Sequence, residues 1–409
     1  MLREALASLP ETLDETYARI LDSISSNHKR NMIRILQFLA YSERPLFLEE
    51  AVDAIAVDLE ASPGFTPEYR MPNPEEITSS CPSLAIMVSL RDKYAGQEIK
   101  EIRLAHFSVK EYLTSSRVRR DLSRFFKETT ARTSITHVCL TYLIHLDQEY
   151  PLEKIKRAFP FAWYSARYWF DHAMAGEENE ILRGLIKNFS LWREGSFDIC
   201  CELYQPWKRL GYSLQPNKPS PLCYASLVGF YFAAQVLLEE GADPNAGDRF
   251  YDGALKVASA GGHEQIVKLL LDNGANANAQ GGPYGSALQV ASNRGYEQIV
   301  KLLLNNGANI NAQGGLYGDA LQEASDEGHE QIVKLLLDNG ANINAQGGPY
   351  GSALQVASNR GHEQIVKLLL NNGANINAQG GLYGSALQVA SDKGYGRIVK
   401  LLLDKGAER

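Results

Sequence analysis

A chain of 409 residues is too long for one compact core, so two or three structural units are expected. Hydrophobic residues make up 44%, enough to fold, but apolar runs such as residues 84–88 stop far short of a membrane span, and the first residues, Met1-Leu2-Arg3-Glu4, open no apolar leader. The net charge of −7, with both halves acidic on balance, argues against nucleic acid as a partner, because no basic field exists to meet phosphates.

Residues 1–125 read as a small α+β unit. Thr12 is placed to cap a first helix with an acidic first turn at Asp14 and Glu15, continuing through Ile20, Leu21 and Ile24 at helical spacing. A second helix is predicted over 29–41 and a third over 48–57. Two β-like runs, 83–90 and 98–105, follow with a polar turn between them. Three helices and a hairpin is the winged-helix order. The third helix of such a unit often reads DNA, but this one carries Glu49, Glu50 and Asp53 with no Lys or Arg, which would repel phosphates.

The segment Arg103-Leu104-Ala105-His106-Phe107-Ser108-Val109-Lys110-Glu111-Tyr112-Leu113, together with residues 6–17 (Leu-Ala-Ser-Leu-Pro-Glu-Thr-Leu-Asp-Glu-Thr-Tyr), resembles the region that follows the nucleotide-binding domain of fungal NACHT-type NOD-like receptors. In that family a winged helix packs on the nucleotide domain and helps hold the ADP-bound resting state. The resemblance makes His106 the candidate nucleotide sensor. Imidazole suits the task, since it can donate to a phosphate and titrates near neutrality. A structural histidine at a strand-to-helix junction is the other reading. No G-x-x-x-x-G-K-[ST] loop occurs, nor any Gly-Lys pair, so the chain departs from the family by lacking its phosphate-binding motif, and it begins where the family's nucleotide domain would be ending. A fragment of a longer receptor and a truncated relative working without nucleotide are both open.

Residues 126–219 read as a helical connector, with helices predicted over 134–146, 159–175 and 180–191. The aromatic run from Phe159 to Ala173 resembles the segment joining winged helix and ankyrin repeats in the same receptors. Trp163, Ala166 and Phe170 share a helical face, which predicts core packing rather than base stacking. Residues 205–221, with Pro and Gly, read as a junction. The five cysteines, Cys81, Cys139, Cys200, Cys201 and Cys223, form no C-x-x-C pair and are expected to be buried free thiols in a reducing cytosol.

From residue 220 to 409 one unit of 33 residues recurs six times, marked by Ala-Leu at 254, 287, 320, 353 and 386 and by Pro221-Leu222 in a divergent first copy. Each unit predicts a short helix, a second helix whose apolar face is too wide for isolated stability, a glycine at its end, and a projecting loop. These units resemble the ankyrin repeat. The fold expected is mainly α: an ankyrin-repeat solenoid of six helix pairs, preceded by the winged-helix-like unit and the helical connector. The family's Thr-Pro-Leu-His survives best as Ser220-Pro221-Leu222-Cys223. Later copies read Ser-Ala-Leu-Gln or Asp-Ala-Leu-Gln, where Ser or Asp keeps the cap and Gln must replace His in tying repeats together. The second copy begins at Gly253, which has no side chain to cap with, and is expected to start more loosely.

Residues 283–348 and 349–409 match almost throughout, so the array reads as the product of a two-repeat duplication. Differences among copies gather at the end of the first helix and just beyond it: Asn293, Arg294 and Tyr296; Asp326, Glu327 and His329; Asn359, Arg360 and His362; Asp392 and Lys393; and Glu323, where other copies have Val. In ankyrin proteins these positions and the projecting loops line the concave face that holds partners, so these residues are the candidate partner-binding set, with drift at exposed positions as the alternative. Loop tyrosines recur at Tyr251, Tyr284, Tyr317, Tyr350 and Tyr383, as a contact ladder or as braces between loops. His263, His329 and His362 lack the spacing of zinc ligands, and no metal or cofactor is expected. No Ser/His/Asp set, carboxylate pair or phosphate loop emerges. The sequence therefore predicts a non-enzymatic cytoplasmic interaction module, resembling the sensor half of a NOD-like receptor, with a protein partner that could include a full-length NACHT receptor. A passive scaffold tethering two proteins is the alternative.

Overall fold

In the computed structural model the chain forms two compact units, residues 1–206 and 207–409. The structure describes residues 12–80, 83–91, 98–146, 150–176, 178–191, 196–205, 219–247, 253–281, 285–314, 318–349, 351–382 and 384–408.

The first unit opens with α1 (Leu13–Ser23), capped by Thr12, whose Oγ1 accepts from the Glu15 amide at 3.2 Å. Then come α2 (Ser26–Tyr41), a two-residue strand β1 (Leu46–Phe47) and α3 (Leu48–Ala56). Two 3₁₀ turns lead to β2 (Ala85–Arg91) and β3 (Glu98–Leu104). The antiparallel sheet runs β1-β3-β2, with Ile102 opposite both Leu46 and Met87. Three helices and this small sheet make the winged-helix arrangement. The hairpin strands lie within two residues of expectation, and β1 is too short to signal itself by alternation.

Helix α3 differs from a reading helix in one decisive respect. Eight of its nine residues are buried, including Glu50 and Asp53. Arg44 holds Glu50 through two hydrogen bonds of 2.5 and 2.7 Å. Asp53 accepts from Arg70 Nε and Nη2 at 2.5 and 3.0 Å and from the Tyr142 hydroxyl at 2.5 Å. The end of α3 is held too, because buried Arg34 donates to the carbonyls of Ala54, Ile55 and Val57. Two of the three acids are thus internal ion-pair partners rather than surface charges. What keeps α3 from a nucleic-acid groove is burial more than repulsion.

The unit continues through α4 (Phe107–Leu113), α5 (Arg120–Phe126), α6 (Glu128–Ile144), α7 (Leu152–Ala158), α8 (Phe161–Ala175), α9 (Glu180–Leu191) and α10 (Ser196–Leu203). Helices α6 and α8 pack on each other and on α2 and α3, so the segment expected as a connector shares one core with the winged helix. In α8, Phe161, Ala162, Tyr164, Ser165, Ala166, Trp169 and Phe170 are buried, as the aromatic run predicts. Trp163 is the correction: it is 42% exposed, and its ring lies 5.6 Å from the Arg44 guanidinium. Burial wraps most of the helix circumference, so a single-face argument could not pick out the one aromatic left outside. Cys139, Cys200, Cys201 and Cys223 are buried free thiols; Cys81 lies outside the described residues.

The second unit is the solenoid. Its six helix pairs are α11 (Pro221–Val228) with α12 (Tyr231–Glu239), α13 (Gly253–Gly261) with α14 (Glu264–Asp272), α15 (Ala287–Arg294) with α16 (Glu297–Asn305), α17 (Ala320–Glu327) with α18 (Glu330–Asp338), α19 (Ala353–Arg360) with α20 (Glu363–Asn371), and α21 (Ala386–Asp392) with α22 (Gly396–Asp404). First helices stack on first helices and second on second. In the third repeat Leu288, Ala291, Ile299, Val300 and Leu303 are all at most 2% exposed, with the neighbouring repeats closing over them. Burial of such side chains contributes roughly 1.5–3 kcal/mol each, which no isolated nine-residue helix could realise.

Candidate partner-binding surface

The sequence-variable residues must be placed against the bonds that hold the repeats together. Those bonds start at the helix caps. Ser220, Ser286, Asp319, Ser352 and Ser385 each accept a hydrogen bond from the amide three residues on. The Gln of the repeat signature works in two directions. Gln322 Oε1 accepts from the Asp319 amide at 2.8 Å, while its Nε2 donates to Ala345 O at 3.2 Å and Gly351 O at 2.5 Å in the next repeat's loop. Gln289 and Gln355 do the same toward Gly314 and Gly318 and toward Gly380 and Gly384. In the second repeat, where Gly253 offers no cap, buried Lys256 occupies the Gln position and its Nζ donates to Gly281 O and to Gly285 O at 2.8 Å.

A second set of ties lies on the loop side, in a line of asparagines that the sequence reading did not single out. Asn245, Asn278, Asn311, Asn344 and Asn377 each accept, through Oδ1, from a backbone amide 31 residues on: Asn276, Asn309, Asn342, Asn375 and Glu408, at 2.6–2.9 Å. Their own recurrence at 33-residue spacing was the available signal.

Several candidate residues prove to be part of this scaffolding. His329 Nε2 donates to Asn293 O at 2.8 Å and His362 Nε2 to Asp326 O at 3.0 Å, each reaching the preceding repeat; His263 does the same to Leu227 O at 3.2 Å. The approach is close: a Cβ on Gly295, which ends α15 at φ +82°, would sit 2.7 Å from the His329 ring. Tyr296 packs in the same way under Gly262. Glu323 is buried and accepts from Asn293 Nδ2 at 2.9 Å. Burial, opposed by that hydrogen bond and aided by the nearby Asp326 and Glu327, pushes its carboxyl up to about 7. Asp326 is buried as well, gripped by Arg360 from the following repeat, Nε to Oδ1 at 2.8 Å and Nη2 to Oδ2 at 2.7 Å. Asn359 is half-buried. Arg294, Glu327, Arg360, Asp392 and Lys393 are the exposed members of the set. Tyr251, Tyr284, Tyr317, Tyr350 and Tyr383 lie outside the described residues.

In the first unit, His106 is exposed and stands at the junction of β3 and α4, where Nδ1 accepts from the Ser108 amide at 3.2 Å and lies 2.7 Å from Ser108 Oγ. Ser108 Oγ in turn lies 2.7 Å from the Tyr17 hydroxyl. An Nδ1 that accepts from an amide places the ring proton on Nε2, which has no partner among the described residues.

Comparison with known proteins agrees with the repeat geometry. The family description "Ankyrin repeats (3 copies)" matches residues 189–281, 255–347 and 321–408, more than half of the chain. The chain belongs to the ankyrin-repeat family. Ankyrin repeats are protein-interaction modules, typically without catalysis of their own. Residues 21–125 of this ankyrin-repeat protein match "GPI inositol-deacylase, winged helix domain". A relative from Monascus ruber, "Azaphilone pigments biosynthesis cluster protein L", is 37% identical over 290 residues, covering 64% of this chain. The chain spans about 59% of that relative's length. Among solved structures, the human ASB11 ankyrin repeat domain is similar at 29% identity and a TM-score of 0.43, over 46% of this chain and 85% of that one. Among the described residues, no helix is long and apolar enough to cross a membrane.

Proposed function

We propose that this ankyrin-repeat protein is a non-enzymatic recognition module that binds a protein partner along the concave ends of its first helices. The observation that carries this reading is the division of labour within the variable set. Apart from Glu323, core positions hardly change from copy to copy, while one exposed position carries Arg294, Glu327, Arg360 and Lys393 in turn, its charge reversing at Glu327. A row of changing charge on an invariant frame is suited to selecting one partner over another. The functional domains are residues 1–125, 126–219 and 220–409, with the module acting in the cytoplasm as the sensor and regulatory half of a NOD-like signalling system.

The test uses charge reversal at exposed positions that hold no repeat together. Partners captured from a lysate of the source organism by the full chain should be lost or weakened at least tenfold by Glu327→Arg or Lys393→Glu, with the melting temperature unchanged. Equal capture by both variants would remove the first-helix ends from the interface.

His106 is proposed as a nucleotide-sensing residue only where a nucleotide-binding domain is supplied. Its support is the free Nε2–H at the end of a capped, oriented ring. In a complex with such a domain, His106→Ala should speed ADP release; no change in release would leave the residue as a helix cap alone.

A further inference from the structure

The first-helix ends contain one arginine whose counterpart acid is missing. Arg360 reaches back 34 residues to Asp326 and forks its carboxylate with two hydrogen bonds. The same step back from Arg294, the equivalent arginine two repeats earlier, arrives at Ala260. No carboxylate stands there. Arg294 is exposed, and its side chain makes no hydrogen bond or ion pair among the described residues. The chain around the vacant position is small: Ala260, Gly261 and Gly262, all half-buried, put nothing larger than a methyl group where Asp326 carries its acid. The bulk nearby is already committed, since the His263 ring lies against Gly229 and Gly261 and the Tyr296 ring against Gly262.

We infer that Arg294, facing the acid-less position of Ala260, forms a receptor for one carboxylate side chain, Asp or Glu, of a partner protein, which takes the place that Asp326 holds for Arg360. The inference rests on the first-helix ends being the partner surface, and names one chemical feature of that partner. A guanidinium presents a planar fork that matches a carboxylate in two parallel bonds, and it is less strongly hydrated than an ammonium group. The pair inside the fourth and fifth repeats shows that this row of the array accommodates that geometry without distorting either helix. In the third repeat the fork is present and its acid is not, so the fork is open to a group delivered from outside.

The experiment follows the Arg294 Nε–Hε resonance in the full-length, ¹⁵N-labelled chain while a capped Gly/Ser peptide carrying glutamates is titrated in. The peptide should shift Arg294 and the amides of residues 260–262, and the glutamine version of the peptide should not. Ala260→Asp supplies the acid internally and should weaken peptide binding about tenfold or more; Arg294→Gln should do the same without adding any group to the array. Unchanged affinity in both variants would overturn the site, as would inorganic phosphate shifting Arg294 as strongly as the peptide does. If the peptide shifts then fall at Glu327 or Lys393, the carboxylate receptor fails while the first-helix surface stands; if they fall on no first-helix end, both readings fail.

Discussion

Glu323 and Asn293 share a 2.9 Å hydrogen bond across the joint between the third and fourth repeats, at a depth where the other Ala-Leu copies place valine. A carboxyl at this depth titrates at about 7 rather than near its ordinary 4.5, because burial disfavours the charged form. The folded state therefore binds this proton more tightly than the unfolded chain does. The stability it contributes is complete below pH 4.5, falls as pH rises toward 7, and is flat above that. Glu323→Val should abolish this slope. Thermal melts should show the variant gaining on the parent by on the order of 2 kcal/mol between pH 5 and pH 8; a constant difference across that range would contradict the burial account.

Gln322 and Gln388 occupy equivalent positions with opposite expectations. Gln322 is 1% exposed, and replacing it by alanine strands the Asp319 amide and two carbonyls of the next loop. Gln322→Ala should cost about 2–4 kcal/mol in urea unfolding, several unmet buried groups being involved. Gln388 is exposed, with no hydrogen-bond partner among the described residues beyond its own capped amide. Gln388→Ala should stay within about 0.5 kcal/mol of the parent.

Asp53 anchors the first unit from inside. Asp53→Ala would leave the buried Tyr142 hydroxyl without its acceptor and the Arg70 guanidinium with only the Ala158 carbonyl, at a cost of about 3 kcal/mol. Tyr142→Phe removes one neutral donor and should cost about 1–2 kcal/mol. Trp163 and Trp169 sit in the same unit, so tryptophan fluorescence during denaturation would rank the two.

The asparagine line can be tested one rung at a time. Asn311→Ala deletes the acceptor of the Asn342 amide, so hydrogen exchange at Asn342 should accelerate markedly while amides within α18 keep their protection. The global cost should be about 1 kcal/mol, since the rung is solvent-exposed.

The sequence made legible whatever depended on neighbours along the chain. Thr12 caps α1 as read, α9 spans Glu180–Leu191 as read, and the 33-residue frame marks every helix pair. Residues whose surroundings come from far along the chain were misjudged in depth. Variation at Glu323 and Asp326 suggested exposure, yet Asn293 and Arg360, 30 and 34 residues away, bury and satisfy them. Glu50 and Asp53 read as repelling surface charge because nothing in α3 announces Arg44 or Arg70. Helix α6 begins six residues before expectation, its first turn being polar and outside the apolar pattern. Short helices such as α5 and α7 carry too few turns to establish a period.

The ties between repeats divide into two kinds with different tolerance of rearrangement. Gln side chains reach backbone carbonyls and Asn side chains reach backbone amides, groups that any copy offers, so such joints would re-form wherever a gene recombines in frame with the repeat. The Asp326–Arg360 joint is different, because it needs an acid in one copy and an arginine in the next. Loss of the fifth copy would bring Lys393 to the place of Arg360, whereas repeating the fourth copy alone would set a glutamate against Asp326. Repeating the fourth and fifth copies together carries the joint along intact, and the near-identity of residues 283–348 with 349–409 is a two-copy step of that kind.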